Sequence, residues 1–179
     1  MKVDFDIKDK VAVVTGGAGI LCAEMAKGLA ARGARVALLD LMEDKAREVA
    51  EEIQRAGGDA VGIGCDVLSK QSIESAAKAV LDQYGTVDIL INGAGGNKAD
   101  ATTGTGKAFF DMPEAAVKWV FDLNLMGTIL PTQVFGRVFA ENKEGCVVNI
   151  SSMAAFTPLT RTLAYSAAKA GVSHFTQWM

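Results

Sequence analysis

Short apolar runs alternate with helical segments along most of this chain, and this alternation limits the possible fold more than any other feature. The five runs cover residues 11–15, 35–40, 60–65, 87–92 and 146–150. Helices are predicted at 20–32, 43–56, 70–84 and 113–141, and a further helix carries Tyr165 and Lys169. Short strands separated by helices are typical of a parallel sheet covered on both faces. Right-handed crossovers then predict a single α/β domain over residues 1–179, with a doubly wound, Rossmann-type parallel sheet.

The composition argues against several classes of partner. Half of the 179 residues are hydrophobic and the net charge is −3, so the chain offers no basic surface for nucleic acid or an anionic membrane. No apolar run approaches the length of a membrane span, and the first ten residues lack the apolar core of a signal peptide. The three cysteines, Cys22, Cys65 and Cys146, have no metal-binding spacing. We therefore expect a cytoplasmic protein that binds no metal.

Glycines and polar side chains follow several of the apolar runs. Because the carboxyl ends of parallel strands border the ligand crevice of such a sheet, these residues should lie together. They are Gly16 to Gly19, Asp40, Asp66, Asn92 to Gly95, and Ser151 with Ser152. This repeated placement predicts a nucleotide site.

The glycine turn and Asp40 indicate which nucleotide could bind. Glycines from Gly16 to Gly19 would let the backbone approach a pyrophosphate at the N-terminus of the next helix. The equal alternative is that these glycines only form an ordinary tight turn between strand and helix. Asp40 could accept both ribose hydroxyls of adenosine and repel a 2′-phosphate, which would favour NAD over NADP. Alternatively, Asp40 caps the helix beginning at Glu43. Asp66 has the same two readings, since it could meet the adenine edge or cap the following helix.

Tyr165 and Lys169 stand one turn apart on a predicted helix. A neighbouring ammonium favours the ionised form of a phenol, so Tyr165 could exchange a proton near neutral pH. Ser152 lies thirteen residues earlier, at the end of a strand, and its hydroxyl could hold a substrate oxygen. An exposed surface pair remains the alternative for Tyr165 and Lys169. Cys22, in the first turn of a helix, is expected to pack rather than to react.

Taken together and in order, these motifs resemble the short-chain dehydrogenase/reductase (SDR) family over almost the whole chain. They are Thr15-Gly-Gly-Ala-Gly19, Asp66-Val67, Asn92-Gly-Ala-Gly95, Asn124-Leu-Met-Gly127, Asn149-Ile-Ser-Ser152 and Tyr165-Ser-Ala-Ala-Lys169. The resemblance implies an oxidoreductase with a catalytic tetrad of Asn124, Ser152, Tyr165 and Lys169. Tyr165 would be the general acid and base, Ser152 would hold the substrate oxygen, and Lys169 would assist Tyr165 and bind the nicotinamide ribose. Asn124 would position a water in a proton relay.

The resemblance also implies that NAD is the cofactor. Its expected contacts are Gly16, Ala18, Gly19, Ile20, Leu21, Asp40, Leu41, Asp66, Val67, Asn92, Gly93, Ala94 and Gly95, together with Tyr165 and Lys169. Two places depart from the family pattern. Ile20 and Cys22 stand where that pattern has glycines, and Gly93 replaces its usual second asparagine.

Four segments, 19–25, 91–97, 121–127 and 156–161, together resemble the subgroup called D-mannonate oxidoreductases, which implies interconversion of D-mannonate and D-fructuronate with NAD. A sugar-acid carboxylate needs a cationic partner. Arg161 is the first candidate and Asn97 and Lys98 are weaker ones, a solvated loop charge being the alternative for each. Another polyol, sugar or 3-oxoacyl substrate, or a non-catalytic NAD-binding module, remains open.

Members of the resembling family continue beyond the helix that carries Tyr165, through further strands and a substrate lid. The sequence therefore predicts a truncated domain whose fifth strand has an unpaired edge, which is a liability for aggregation. It also predicts a homodimer or homotetramer, because the helices around 113–141 and 164–178 carry apolar faces that family members use for assembly.

Overall fold

A computed structural model describes residues 6–157 and 159–179 of the chain. The expected absence of a signal peptide therefore rests partly on residues 1–5, which lie outside the described residues, as does Pro158 in the segment 156–161. Five parallel strands form one sheet in the order β3-β2-β1-β4-β5. The strands are β1 (Val11–Thr15), β2 (Arg35–Asp40), β3 (Asp59–Gly64), β4 (Ile89–Asn92) and β5 (Cys146–Asn149). The helices are α1 (Ile20–Ala30), α2 (Glu43–Arg55), α3 (Lys70–Tyr84), α4 (Glu114–Phe121), α5 (Gly127–Asn142) and α6 (Leu163–Trp178).

The sheet order confirms the predicted doubly wound fold. Strand order reverses between β1 and β4, which is where such sheets open their ligand crevice. All five residues of β1 are buried, and alternate side chains enter different halves of the core. Val11 and Val13 pack in the cluster that contains Phe135 of α5, whereas Val14 packs in the cluster that contains Ala26 of α1.

Strand and helix boundaries differ from the predicted ones by one or two residues. β4 begins at Ile89 rather than at residue 87, and the Asp88 side chain just before it accepts a hydrogen bond from the Val11 amide at 2.8 Å. α1 ends at Ala30, because Gly33 adopts a φ of +84° that no helix can continue.

The predicted helix over 113–141 is instead two α-helices joined by a π-helical turn, Asp122–Met126. Asn124 lies inside this turn, and its side-chain amide donates a hydrogen bond to the Val120 carbonyl at 2.8 Å. Pro131, in the second turn of α5, has no amide hydrogen with which to continue a regular ladder. The prediction of one unbroken helix was therefore wrong at the position where it matters for the site.

The loop between β4 and α4 has more structure than predicted, with short 3-10 turns at Ala99–Ala101 and Phe109–Asp111. Ala101 is fully buried against Ala116, Val120 and Ala164, so this loop is anchored to α4 and α6. Within the described ranges, no helix is long and apolar enough to cross a bilayer.

Candidate active site

The glycine turn after β1 brings backbone against backbone. Gly16 adopts a φ of +66°, and a Cβ at this position would lie 2.9 Å from the Cα and amide nitrogen of Ala94. Gly19 is the N-cap of α1, and no side chain caps this helix. The first amides of α1 are therefore free to bind an anion, as predicted for a pyrophosphate site.

Thr15 fixes the glycine segment after β4 to the end of β1. Its Oγ1 accepts hydrogen bonds from the amides of Gly93 at 3.1 Å and of Ala94 at 3.2 Å. Because both glycine segments are tied at this point, they form the two walls of one crevice.

The crevice has a volume of about 430 Å³, within the range of small-molecule and cofactor sites. Most of the predicted cofactor residues line it, namely Gly16, Gly19, Ile20, Leu21, Asp40, Leu41, Asp66, Val67, Gly93, Ala94 and Gly95. Ile20, Leu21 and Leu41 are largely exposed there. The predicted set omitted Cys22, Met42, Cys65 and Leu123, which also line the crevice. Met42 and Cys65 are sequence neighbours of the predicted residues Leu41 and Asp66. This adjacency is the only feature of the sequence that could have indicated that they line the crevice.

Asp40 ends β2 and is not the N-cap of α2, a position that Met42 occupies. Its carboxylate instead accepts hydrogen bonds from the amides of Ala18 at 3.1 Å and of Met42 at 2.9 Å. The alternative reading of Asp40 as a helix cap was therefore wrong. Ala18, predicted to contact the cofactor, is outside the crevice lining and directs its amide at Asp40.

Asp66 likewise does not cap α3, since Ser69 is the N-cap and accepts a hydrogen bond from the Ser72 amide. The Asp66 carboxylate accepts from the Leu68 amide at 2.9 Å, and the side chain is exposed at the crevice.

Asn92 is almost fully buried, outside the crevice lining, although the resemblance places it among the cofactor contacts. Its amide group donates to Thr132 Oγ1 and to Asn149 Oδ1, both at 2.8 Å. These bonds join the ends of β4 and β5 to α5, so Asn92 stabilises the strand ends that border the crevice.

Lys169 is buried, with 4% of its surface exposed. Its ammonium donates a hydrogen bond to the Ile150 carbonyl at 2.7 Å, and burial lowers the pKa of Lys169. The ammonium lies 5.8 Å from the centre of the Tyr165 ring. The helical spacing seen in the sequence therefore brings these two side chains together.

Asn124 and Lys169 converge on Gly95. A Cβ on Gly95 would lie 2.8 Å from Asn124 Oδ1 and 3.3 Å from Lys169 Nζ. Asn124 is fully buried, donates to the Gly96 carbonyl at 2.7 Å and accepts from the Gly96 amide at 3.1 Å. The π-helical turn thus delivers an amide side chain to the edge of the crevice.

Ser152 follows β5 and precedes a 3-10 turn, Met153–Ala155. Its hydroxyl accepts a hydrogen bond from the Ala154 amide at 3.1 Å, and Ser152 is half-buried, as is Tyr165. The neighbouring Ser151 bonds to the Ser173 hydroxyl at 2.7 Å and to the Lys169 carbonyl at 3.1 Å. These contacts hold the strand end that carries Ser152 against the helix that carries Tyr165.

The three predicted substrate contacts lie in the loops that precede α4 and α6. Arg161 is exposed and adopts a φ of +75°, which is rare for a residue with a side chain. Its carbonyl accepts a hydrogen bond from the Thr103 amide at 3.0 Å. Lys98 lies over the Trp119 ring, 5.4 Å from its centre, and Asn97 donates to Thr102 Oγ1 at 3.1 Å.

Comparisons with known proteins agree on the family. The sequence profile of the short chain dehydrogenase family matches residues 10–179. A Bacillus subtilis (strain 168) protein named "Uncharacterized oxidoreductase UxuB" is 44% identical over 97% of this chain and 66% of its own length. D-threitol dehydrogenase of Mycolicibacterium smegmatis is 36% identical over 96% of this chain and 64% of its own.

A solved structure gives the same result. The crystal structure of a "putative D-Mannonate oxidoreductase" from Haemophilus influenza, with bound NAD, superposes with a TM-score of 0.90 at 42% identity. That match covers 97% of this chain and 65% of the other, so the chain spans about two thirds of the length of its relatives. As its motifs and sheet order predicted, the chain belongs to the short chain dehydrogenase family.

Proposed function

We propose that this chain is the NAD-binding and catalytic part of an NAD-dependent oxidoreductase that acts on the secondary alcohol of a sugar acid, with D-mannonate and D-fructuronate as the substrate pair. The observation that carries the proposal is the approach of Lys169 and Asn124 to Gly95, which itself lines the crevice, with the Lys169 ammonium 5.8 Å from the centre of the Tyr165 ring. Buried cationic groups next to a proton-transferring side chain are typical of active sites.

The residues present suit a dinucleotide. Gly16 leaves no room for a side chain, the N-terminus of α1 has free amides, and the Asp40 carboxylate lines the same crevice. Gly16, Gly19 and the first turn of α1 would hold the pyrophosphate, and Asp40 the adenosine ribose. NAD bound in the H. influenzae relative supports the same choice here.

In this mechanism bound NAD supplies the hydride acceptor for alcohol oxidation. Tyr165 takes the proton from the substrate hydroxyl, and the Lys169 ammonium lies 5.8 Å from the centre of the Tyr165 ring. Ser152 orients the substrate oxygen from the end of β5. Asn124 holds the Gly96 backbone by two hydrogen bonds. It thereby fixes the Gly93–Gly96 side of the crevice, against which the nicotinamide ribose would lie. The reverse reaction returns the same proton from Tyr165.

Arg161 supports a sugar acid as substrate. It lies two residues before α6 and four before Tyr165, in a left-handed backbone conformation that is tied to Thr103. Strained residues of this kind cluster at functional sites. Among the described ion pairs, Lys107 is engaged by Asp100, whereas none involves Arg161, so its guanidinium is free to bind a carboxylate.

The test is steady-state turnover by the 179-residue chain, followed by NADH absorbance, with D-mannonate, D-threitol and xylitol as alternative substrates. We expect turnover of D-mannonate, and Arg161→Ala should raise the KM for D-mannonate at least about tenfold, since a charge-assisted hydrogen bond is worth about 1.5–3 kcal/mol. Arg137→Ala, which removes an exposed arginine on α5, should leave that KM unchanged.

An unchanged KM in Arg161→Ala would refute the carboxylate contact. Preferential turnover of D-threitol or xylitol would favour the polyol alternative, to which the D-threitol dehydrogenase relative belongs. NADH binding without turnover of any alcohol would favour the non-catalytic module, in keeping with the two-thirds coverage of the relatives.

We also propose a homodimer or homotetramer as the working form. Trp178 at the end of α6 stacks on Phe175, with 6.3 Å between ring centres, and is 83% exposed, a character typical of residues at protein interfaces. Sedimentation equilibrium that returned only a monomer would exclude this assembly.

A further inference from the structure

Cys22 and Gly93 meet at the floor of the crevice, where two departures from the family pattern coincide. Cys22 is 5% exposed and lines the crevice together with Gly93, Ala94 and Gly95. A Cβ on Gly93 would lie 2.2 Å from Cys22 Sγ, a separation that two non-bonded atoms cannot adopt. The sulfur therefore fills the space that a side chain at position 93 would need.

The segment from Gly93 to Gly95 is also closely packed at its Gly95 end, away from Cys22. A Cβ on Gly95 would approach Asn124 Oδ1 to 2.8 Å and Lys169 Nζ to 3.3 Å. Thr15 Oγ1 holds the amides of Gly93 and Ala94 from below. The segment is thus wedged between the Cys22 sulfur and the side chains of Asn124 and Lys169, so a shift at one end reaches the other.

The Cys22 thiol is suited to packing rather than to reaction. Burial raises the pKa of Cys22, and the negative charge of Asp40 raises it further. A neutral, buried thiol behaves as a small apolar group.

We propose that Cys22 is a positioning residue for the cofactor. The Cys22 sulfur packs into the space left by the absence of a side chain at Gly93, and we call this pair one packing unit. The unit sets the distance between the Gly93–Gly95 backbone and the side chains of Lys169 and Asn124. In a chain that follows the family pattern, with glycine at position 22 and a side chain at position 93, the side chain at position 93 would fill the same space. The proposal rests on the proposed binding of NAD in this crevice.

A double-mutant cycle tests the unit. The unfolding midpoint and the Kd for NADH are measured for the wild type, Cys22→Ala, Gly93→Ala and the double variant Cys22→Ala/Gly93→Ala. In Gly93→Ala the new methyl meets the sulfur, whereas in the double variant the two Cβ atoms would be 3.7 Å apart, an ordinary contact. A contact of 2.9 Å with the Thr15 carbonyl persists in both, so recovery should be partial.

We expect Gly93→Ala to lower the midpoint by at least about 5 °C, as overpacking does in a domain of this size, and to weaken NADH binding at least about tenfold. Addition of Cys22→Ala should recover about half or more of both losses. Losses that add in the double variant would overturn the proposal. If Gly93→Ala is insoluble, a soluble double variant counts as the same recovery, and an insoluble double variant overturns the unit.

Two control variants isolate the contact. Gly28→Ala adds a methyl on α1 with no atom within 4 Å, and Cys146→Ala removes an exposed thiol, so neither should weaken NADH binding. A wild-type chain that binds no NADH would refute the proposed function and with it the role of Cys22 toward the cofactor. The midpoints would then still show whether Cys22 and Gly93 pack as one unit.

Discussion

At the residue scale, Lys169 is the most informative side chain, because lysine is rarely buried without a function. Its ammonium has a single hydrogen-bond acceptor among the described residues, the Ile150 carbonyl, and it faces the Tyr165 ring. The sequence predicted the neighbourhood of Tyr165 from helical spacing alone. It could not predict the burial, since that depends on Ile150 and Gly95, which approach Lys169 only in the folded chain.

The lowered pKa of Lys169 predicts how stability changes with pH. In unfolded chains Lys169 keeps its proton up to a pKa near 10.5, whereas in the folded protein it loses the proton at lower pH. Between these two values the unfolded state binds more protons, so rising pH stabilises the fold. Without cofactor, the unfolding free energy of the wild type should therefore rise relative to that of Lys169→Met as pH increases toward 10.5.

Lys45→Met, which removes an exposed lysine, is the matched control and should show no such trend. A difference between wild type and Lys169→Met that stays constant with pH would refute the lowered pKa of Lys169 in the folded protein.

Asp40 shows a second limit of sequence reasoning at this scale. Its position at the end of β2 predicted proximity to the adenosine ribose, but the hydrogen bond from the Ala18 amide was not foreseeable, because Ala18 meets Asp40 only through the glycine turn. Asp40→Asn, which removes the charge and keeps an acceptor oxygen, should reduce the preference for NAD over NADP about tenfold, since close like charges near a surface cost on the order of 1–4 kcal/mol. The two KM values in the turnover assay measure this preference, and an unchanged ratio would assign Asp40 to the turn alone.

At the element scale, the π-helical turn between α4 and α5 is the feature that builds the site and that the sequence concealed. Apolar spacing predicts helix through 113–141, but one inserted residue leaves that spacing almost unchanged. The insertion turns Asn124 toward Gly96, where it makes both a donor and an acceptor contact. The resemblance to the family named Asn124, whereas the local pattern gave no sign of its geometry.

Asn124→Ala tests the contribution of this turn. The change would leave the half-buried Gly96 amide and carbonyl without their side-chain partner, and leaving a buried polar group unsatisfied costs about 1–3 kcal/mol. We expect a loss of about 2–3 kcal/mol in the free energy of unfolding, measured by urea titration, together with weaker NADH binding. Asn142→Ala, at the exposed end of α5, should cost no more than about 0.5 kcal/mol. Equal effects of the two variants would contradict a structural role for the π-helical turn.

At the scale of the whole molecule, the alternation of strands and helices was sufficient to predict the sheet class, and the observed order β3-β2-β1-β4-β5 confirms it. Among the described residues β5 pairs only with β4, as expected for an edge strand. Gly16, Asp40, Asp66 and Gly93 line one crevice because parallel strands bring their carboxyl ends to one edge of the sheet, whereas Asn92 lies outside that lining. Contacts between residues far apart in the sequence, such as that between Cys22 and Gly93, could not be predicted. Whether such residues fit together is decided by differences of a few tenths of an ångström in the distances between their atoms.

The most direct test of the proposed activity is Tyr165→Phe, which removes one hydroxyl and leaves the ring beside Lys169. Turnover of D-mannonate should fall at least about 10²-fold, the lower range for losing a general acid or base, while the Kd for NADH changes less than about threefold. That outcome would assign the proton transfer to Tyr165. Turnover retained at the wild-type rate would contradict the account, because no other group in the proposed mechanism can take the proton from the substrate.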